Sequence, residues 1–512
     1  MLAVVESSAI LGVDAYEVRV EVNVAPAQIP QFTIVGLPDA AVQESRERVR
    51  AAIKNSGLSF PGDKKILVNL APADTRKAGP SFDLPIAVGL LVATGQISEE
   101  NLGGTVLVGE LGLDGTVRPV SGVLPVAITA RVAGKQRLIV PAANTREAAI
   151  VGDIAVYPVH TLADVLLLLA DPASVTPVTE DPRAVLATQS TGDTDFADVK
   201  GQAHVKRALE VAAAGGHNCL LIGPPGSGKT MLARRLPTIL PGLSVDEALE
   251  VTKLYSVSGL LPSGEALVTQ RPFRAPHHTI SNAGLTGGGT IPRPGEVSLA
   301  HHGVLFLDEL PEFNRDVLEV MRQPLEDGQV TIARAAASLT YPAKFTLIAA
   351  MNPCPCGFYG DSLKPCTCSQ GAVNKYLQRI SGPLLDRIDI HIEVPRLKHD
   401  ELTTPPAGEG SLAIRARVET ARQAQAERLA GTGLFCNAHM GAKQIQRFCD
   451  VQGDAKSLLK AAITQMSLSA RAYDRILKLA RTIADLAGEE QIGIAHVAEA
   501  VQYRALDRKF WG

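Results

Sequence analysis

The pattern of hydrophobic and polar positions changes character along the chain. Up to residue 170, β-like runs at Tyr16–Val24, Lys65–Leu70, Thr105–Glu110 and Arg137–Val140 alternate with helix-period stretches at Ala40–Ser56 and Leu84–Thr94. That alternation predicts a mixed α/β domain over 1–170. Residues 171–195 are rich in Pro, Thr, Ser and Asp and hold no aromatic side chain, which is linker composition. Over 196–395 the chain takes up the strand–turn–helix rhythm of an open parallel sheet. Strand signals then vanish. Helix-period patterns at Leu412–Leu429, Ala442–Asp450, Ala455–Met466, Ala470–Leu486 and Ile494–Tyr503 predict a helical domain over 396–512.

Composition narrows the classes. Hydrophobic residues make up 46% and charged residues 20%, as in soluble globular proteins. The formal net charge of −3 gives no global attraction to nucleic acid, so any DNA contact has to rest on local basic loops. Met1–Glu6 lacks the basic start and long apolar run of a signal peptide. The longest apolar stretch, Leu84–Gln96, carries Gly89 and Gly95 and is too short to span a bilayer, so it predicts a buried helix and no membrane segment. Seven cysteines, four of them crowded together, do not resemble a secreted disulfide framework; a cytoplasmic, reducing location is expected.

The chemistry begins at Asn218-Cys219-Leu220-Leu221-Ile222, a short apolar run with the look of a buried strand. It feeds Gly223-Pro224-Pro225-Gly226-Ser227-Gly228-Lys229-Thr230, and a helix-like segment, Met231–Leu236, comes next. This is G-x-x-x-x-G-K-[ST] in the context the motif needs. The glycines let backbone N–H groups converge on phosphates, at the positive end of a helix. Lys229 is expected to reach the β- and γ-phosphates of ATP, and the Thr230 hydroxyl to bind Mg²⁺. About eighty residues on, Val304-Leu305-Phe306-Leu307-Asp308-Glu309 ends a second apolar run in two carboxylates. Asp308 is expected to hold the metal and Glu309 to polarise the attacking water.

Cys354-Pro355-Cys356, nine residues, then Cys366-Thr367-Cys368 set four thiols in one loop. Four sulfurs suit a closed tetrahedral Zn²⁺ site that holds a loop without a core of its own, and a structural Zn²⁺ is expected there; the alternative is disulfides. Cys219, Cys436 and Cys449 read as isolated structural thiols. His277, His278, His301 and His302 form pairs in loops and are expected to bond locally rather than to hold a metal.

These motifs, with Phe273-Arg274-Ala275-Pro276-His277-His278-Thr279, Gly287-Gly288-Gly289, Pro294-Gly295-Glu296, Leu310-Pro311-Glu312-Phe313, Asn352-Pro353-Cys354-Pro355-Cys356-Gly357 and Gly382-Pro383-Leu384-Leu385-Asp386-Arg387-Ile388-Asp389, resemble the ComM/YifB group of magnesium-chelatase-like AAA+ proteins over nearly the whole chain. The resemblance implies an α/β architecture: a Lon-protease-like α+β domain, an AAA+ phosphate-loop core with a parallel sheet, and a helical lid. It implies that Asn352, ending the strand Phe345–Met351, is a polar sensor beside the γ-phosphate. It further implies that Arg387 is an arginine finger offered to a neighbouring subunit's ATP, the alternative being a local pair with Asp386 or Asp389. Arg471, opening a lid helix, resembles a second sensor. The insertion-like stretches Gly259–Ala300 and Thr331–Lys344, the latter a hairpin with Arg334 and Lys344 near its ends, would grip DNA without reading its sequence; the alternative is packing between subunits. The activity implied is that of a homo-hexamer translocating on single-stranded or branched DNA to drive branch migration in natural transformation, with recombination proteins as further partners. Rival readings are a chelatase motor, an ATP-dependent Lon-like protease and a non-enzymatic DNA scaffold.

The protease reading has a specific basis. Lys77-Ala78-Gly79-Pro80-Ser81 resembles the Lon nucleophile segment, and Gly109–Val120 resembles the next Lon block. Alignment of Ser121-Gly122-Val123-Leu124 with the Lon segment after that block sets Leu124 where the general-base lysine belongs. An unactivated serine is a poor nucleophile, so the domain is expected to be non-proteolytic, with Ser81 a turn or helix-cap residue.

Overall fold

Alternation along Asp14–Pro26 buries Val18, Val20, Val22 and Val24 while Arg19, Glu21 and Asn23 point away, the pattern of a sheet covered on one face. The computed structural model describes residues 1–188, 194–289, 292–334, 337–361, 363–397, 408–466, 469–506 and 510. In it this strand belongs to a seven-stranded mixed sheet ordered Gln31–Val35, Lys64–Ala71, Asp14–Pro26, Leu2–Leu11, Thr105–Leu107, Arg137–Pro141, Ala155–Val159. The apolar helix Asp83–Ala93 is buried at every residue. Gly89 is what lets it lie so close to the sheet: a Cβ there would stand 2.6 Å from Val22 Cγ2. Sequence pattern alone does not reveal the strands Leu2–Leu11, Gln31–Val35 and Ala155–Val159 or the helices Val123–Val132 and Leu162–Ala170. Their apolar residues keep no clean period, since buried and exposed positions mix along them.

Contacts divide the chain into two units, Met1–Gln189 with Ser244–Thr269, and Ser190–Leu243 with Gln270–Gly512. The helix Val245–Val257 therefore packs with the first region, although it lies in sequence between the phosphate loop and Asp308. Gly122 N–H donates to Ser256 O at 3.0 Å, and Lys253 pairs with Asp14 at 3.2 Å. Within 171–195 the chain forms a 3₁₀ turn, Pro172–Ser174, and a short helix, Pro182–Ala187; residues 189–193 lie outside the described residues.

The second unit is built on a parallel five-stranded sheet ordered Phe273–Arg274, Val304–Leu307, Thr346–Met351, Cys219–Ile222, Ile390–Glu393. Its three middle strands are buried throughout, as expected of a parallel sheet covered on both faces. One apolar core runs from this sheet into the helices Ser411–Arg428 and Ala470–Ala487. Beyond residue 408 the described elements are helical: Ser411–Arg428, Ala442–Phe448, Gly453–Met466, Ala470–Ala487 and Ile494–Gln502, with a 3₁₀ turn at Asn437–His439. Among the described residues no helix is long and apolar enough to cross a membrane.

Candidate nucleotide site

Strand register brings the motif residues together. Ile222 stands beside Met351 and Leu307 beside Ala349, so Gly223, Asp308 and Asn352 all emerge at the carboxyl ends of adjacent parallel strands. Open α/β sheets bind ligands at that edge. The chain turns from strand to helix through Gly226 and Gly228, at φ +77° and +89°, and the helix Lys229–Arg235 begins with Lys229. Gly223 has no room for a side chain: a Cβ would fall 2.2 Å from Val394 O.

Lys229 Nζ donates to Gly223 O at 2.7 Å, Pro224 O at 3.0 Å and Asn352 Oδ1 at 3.2 Å, folded back into the cradle the phosphates would fill. Burial pulls its pKa down to about 8 against the opposing pull of Asp308 and Glu309. Thr230 Oγ1 donates to Asp308 Oδ2 at 2.7 Å. Two hard oxygens converging on one spot beside the phosphate loop fit a Mg²⁺ site. Glu309 is more than half exposed, sits at φ +53°, and faces His278 Nδ1 at 3.5 Å. No sequence pattern points to that partner. Of the histidine pairs, His277 bonds locally, its Nδ1 meeting Thr279 Oγ1 at 3.0 Å, whereas His301 Nδ1 accepts from the distant Lys344 N–H at 3.0 Å.

Gln202 is a second residue outside any motif. Its amide donates to Ser227 O at 2.9 Å and Pro395 O at 3.1 Å, tying the segment before the phosphate loop to the loop itself and to the chain after the last strand. It lines a cavity of about 930 Å³ with Lys206, Arg207, Arg396 and Arg417, behind the phosphate loop.

The four cysteines draw together: Cys354 Sγ lies 3.3 Å from Cys356 Sγ and 3.7 Å from Cys366 Sγ, and all four sulfurs lie within 4.8 Å of one another. Zn–S bonds of about 2.3 Å in a tetrahedron space the sulfurs about 3.8 Å apart, so the cluster fits Zn²⁺. Cys436 departs from its expected role as an isolated thiol. Its sulfur lies 3.3 Å from His439 Nδ1; burial raises its pKa, but the His439 and Arg422 cations outweigh that and hold it at about 5. Cys219 and Cys449 are plain buried thiols, the latter pushed up by burial to about 12.

Arg387 does not pair with Asp386 or Asp389. Its guanidinium meets Glu326 and the Pro383 carbonyl, while Asp386 faces Arg471 at 3.9 Å and Asp389 faces His217 at 3.1 Å and Arg475 at 3.3 Å. Arg387 and Arg471 line one cavity of about 490 Å³, which none of Lys229, Thr230, Asp308, Glu309 and Asn352 lines. Asn218, at the foot of the phosphate-loop strand, donates to Arg387 O at 2.9 Å and accepts from Leu347 N–H at 2.8 Å. The hairpin pairs Gln329–Arg334 with Ala337–Pro342; its turn, 335–336, and the Arg334 side chain lie outside the described residues. Lys344 is not on the hairpin's strands, and its ammonium stands over the Phe435 ring at 4.9 Å.

In the first unit the segments Lys77–Ser81 and Gly109–Val120 meet. Gly109 N–H donates to Ser81 O at 3.0 Å, and Leu111 N–H to Asp83 Oδ2 at 3.2 Å. Ser81 lies inside a 3₁₀ turn, Pro80–Phe82, and its side chain caps no helix. Leu124 is fully buried in the helix Val123–Val132.

Comparison with known proteins bears on this arrangement. The family model for magnesium chelatase, subunit ChlI, matches residues 195–402; that for subunit ChlI of Mg-chelatase matches 20–144; that for the ChlI C-terminal region matches 408–504. The competence protein ComM of Haemophilus influenzae is 47% identical over 99% of this chain and 98% of its own length. YifB of Salmonella typhimurium is 45% identical and YifB of Escherichia coli 44% identical, each over 99% of this chain and 98% of its own length.

Proposed function

Because the chain belongs to the ComM and YifB family, assembled from magnesium-chelatase ChlI-type domains, we propose that it is a ring-forming AAA+ ATPase that turns ATP hydrolysis into movement on DNA. The observation that carries the reading is the split of its polar and charged groups. Lys229, Thr230, Asp308 and Asn352 converge at one sheet edge, whereas Arg387 and Arg471 share a separate cavity. A pocket for the triphosphate with Arg387 and Arg471 elsewhere is half a site, and an adjacent copy supplies the other half.

In this reading Lys229 swings from Gly223 O and Pro224 O to the β- and γ-phosphates, and the basic cavity beside Gln202 takes the rest of the nucleotide. Thr230 and Asp308 would hold Mg²⁺, which when bound would offset charge on the phosphates. Glu309, released from His278, takes a proton from the attacking water while Asn352 orients the γ-phosphate. Arg387 of the next subunit meets the charge that develops in transfer, so turnover waits on ring assembly. The four cysteines hold a structural Zn²⁺. The resemblance to a competence protein extends the proposal to a hexamer driving branch migration of recombination intermediates during uptake of single-stranded DNA.

The test is turnover of ATP with three- and four-stranded DNA junctions, beside a Lys229→Ala control. Strand exchange that requires both ATP and Lys229 supports the motor. ATP turnover indifferent to every DNA favours the second reading, a chelatase-type motor acting on another protein, for which the ChlI-type domains speak.

A further inference from the structure

The cysteine loop does more than close on itself. Asn352, whose Oδ1 holds Lys229, is two residues before Cys354, so the first cysteine and the residue beside the γ-phosphate position are set by one short stretch of backbone. One residue after Cys356, Gly357 turns back at φ +85° with its N–H on Cys354 O at 2.9 Å. There it lies against the phosphate loop itself: a Cβ on Gly357 would stand 2.5 Å from Pro225 Cδ and 2.7 Å from Pro225 Cγ. Such a distance requires one of the two to move. The next residue, Phe358, stacks under Lys364 at 4.2 Å and Arg396 at 5.1 Å, and Arg396 lines the cavity behind the phosphate loop. Asp361 anchors the far limb of the loop by accepting from Leu363 N–H at 2.7 Å and pairs with Arg396 at 3.4 Å.

A loop of this kind has little apolar surface of its own; Cys354 is buried, but the other three cysteines are partly exposed. Its shape depends on what joins its sulfurs. With a metal at its centre it is one fixed body in contact with the phosphate loop at Pro225, with Lys229 through Asn352, and with the rear cavity through Arg396. Without the metal the same contacts hang on a segment with many conformations, and nucleotide binding has to order that segment first.

We propose that metal binding by Cys354, Cys356, Cys366 and Cys368 and nucleotide binding by the phosphate loop are thermodynamically coupled through Gly357–Pro225 and Asn352–Lys229. This rests on the zinc reading of the cluster. Zn²⁺ tightens the hold on ATP, and ATP tightens the hold on Zn²⁺ by the same factor, since coupling between two sites is reciprocal. The coupled factor is expected to be about tenfold, within the range common for linked sites.

The full-length protein is purified under reducing conditions, its metal content is measured, and it is stripped with a zinc-selective chelator that leaves Mg²⁺ in place. Affinity for a fluorescent ATP analogue is then titrated with and without added Zn²⁺, and affinity for Zn²⁺ is measured by competition with a chromophoric chelator, with and without ATP. About one Zn²⁺ per chain and about tenfold tightening in both directions is the expected result. Absence of bound metal sinks the zinc reading and the coupling with it. One Zn²⁺ per chain with the same ATP affinity before and after stripping sinks the coupling and leaves the zinc site standing. Pro225→Ala supplies the independent check: it keeps the four sulfurs and the Gly357 turn at φ +85° and removes the ring atoms that Gly357 lies against. It is expected to retain Zn²⁺ while losing most of the reciprocal tightening, and full coupling in that variant would overturn the route through Pro225.

Discussion

Thr230 Oγ1 donates to Asp308 Oδ2 at 2.7 Å, joining two residues that lie far apart in sequence. Each satisfies the other where a divalent cation would bind both. Thr230→Val leaves the carboxylate but removes the second oxygen. It is expected to lower ATP turnover about a hundredfold, the effect typical of losing one well-aimed electrostatic contact. Asp308→Ala should raise the Mg²⁺ concentration needed for half-maximal rate. Titration of rate against Mg²⁺ reads both, and unchanged Mg²⁺ dependence in both variants would count against this site.

Arg387 and Arg471 in a cavity separate from the phosphate loop make a sharp prediction about mixed rings. Arg387→Ala should cut turnover about a thousandfold, the scale seen when an arginine finger is lost, while leaving ATP affinity nearly unchanged. Lys229→Ala should also be inactive. Mixed together, the two inactive proteins are expected to regain activity, because the intact phosphate loop of one meets the intact Arg387 of the other. No recovery in any ratio, with assembly verified by light scattering, would return Arg387 to a structural role with Glu326.

Burial holds Lys229 at about 8 instead of the usual 10.5. Between those values the folded chain binds fewer protons than the unfolded one, so this residue makes stability rise with pH, its full cost being felt below about pH 8. Phosphate oxygens beside Nζ reverse the shift. ATP binding near pH 8.5 should therefore take up a fraction of a proton per site, fading by about pH 6.5 where Lys229 is already charged. Calorimetry in buffers of differing ionisation enthalpy measures the uptake, and Lys229→Met should abolish it.

Glu309 faces His278 at 3.5 Å, so the imidazole competes with water for one of its carboxylate oxygens. His278→Ala is expected to raise basal ATP turnover a few-fold and to shrink any stimulation by DNA. A variant slower than the parent without DNA would assign His278 to catalysis instead of restraint.

Leu124 is fully buried. Leu124→Lys should not create a peptidase; it is expected to cost about 3–5 kcal/mol by burying an unpaired cation, read as a lowered denaturation midpoint. Ser81→Ala should leave ATP turnover unchanged. Peptide cleavage by the parent that vanishes in Ser81→Ala would overturn the non-proteolytic reading of this domain.

The phosphate loop, the Asp308–Glu309 pair and the cysteine cluster were legible because each is contiguous or nearly so. Gly226 and Gly228 occupy backbone angles that other residues avoid, and a buried parallel strand writes itself as an unbroken apolar run before the two carboxylates at its end. The helices of the last region were legible for the same local reason, a period of 3.6 along an amphipathic face. Only tertiary structure decided that Gly357 touches Pro225, that Asn218 holds Arg387, that His278 faces Glu309, and that Ser244–Thr269 packs with the first region. Apolar periodicity specifies which face of an element is covered. Which partner covers it depends on strand order and register, and those are fixed by contacts between residues that can stand anywhere along the chain.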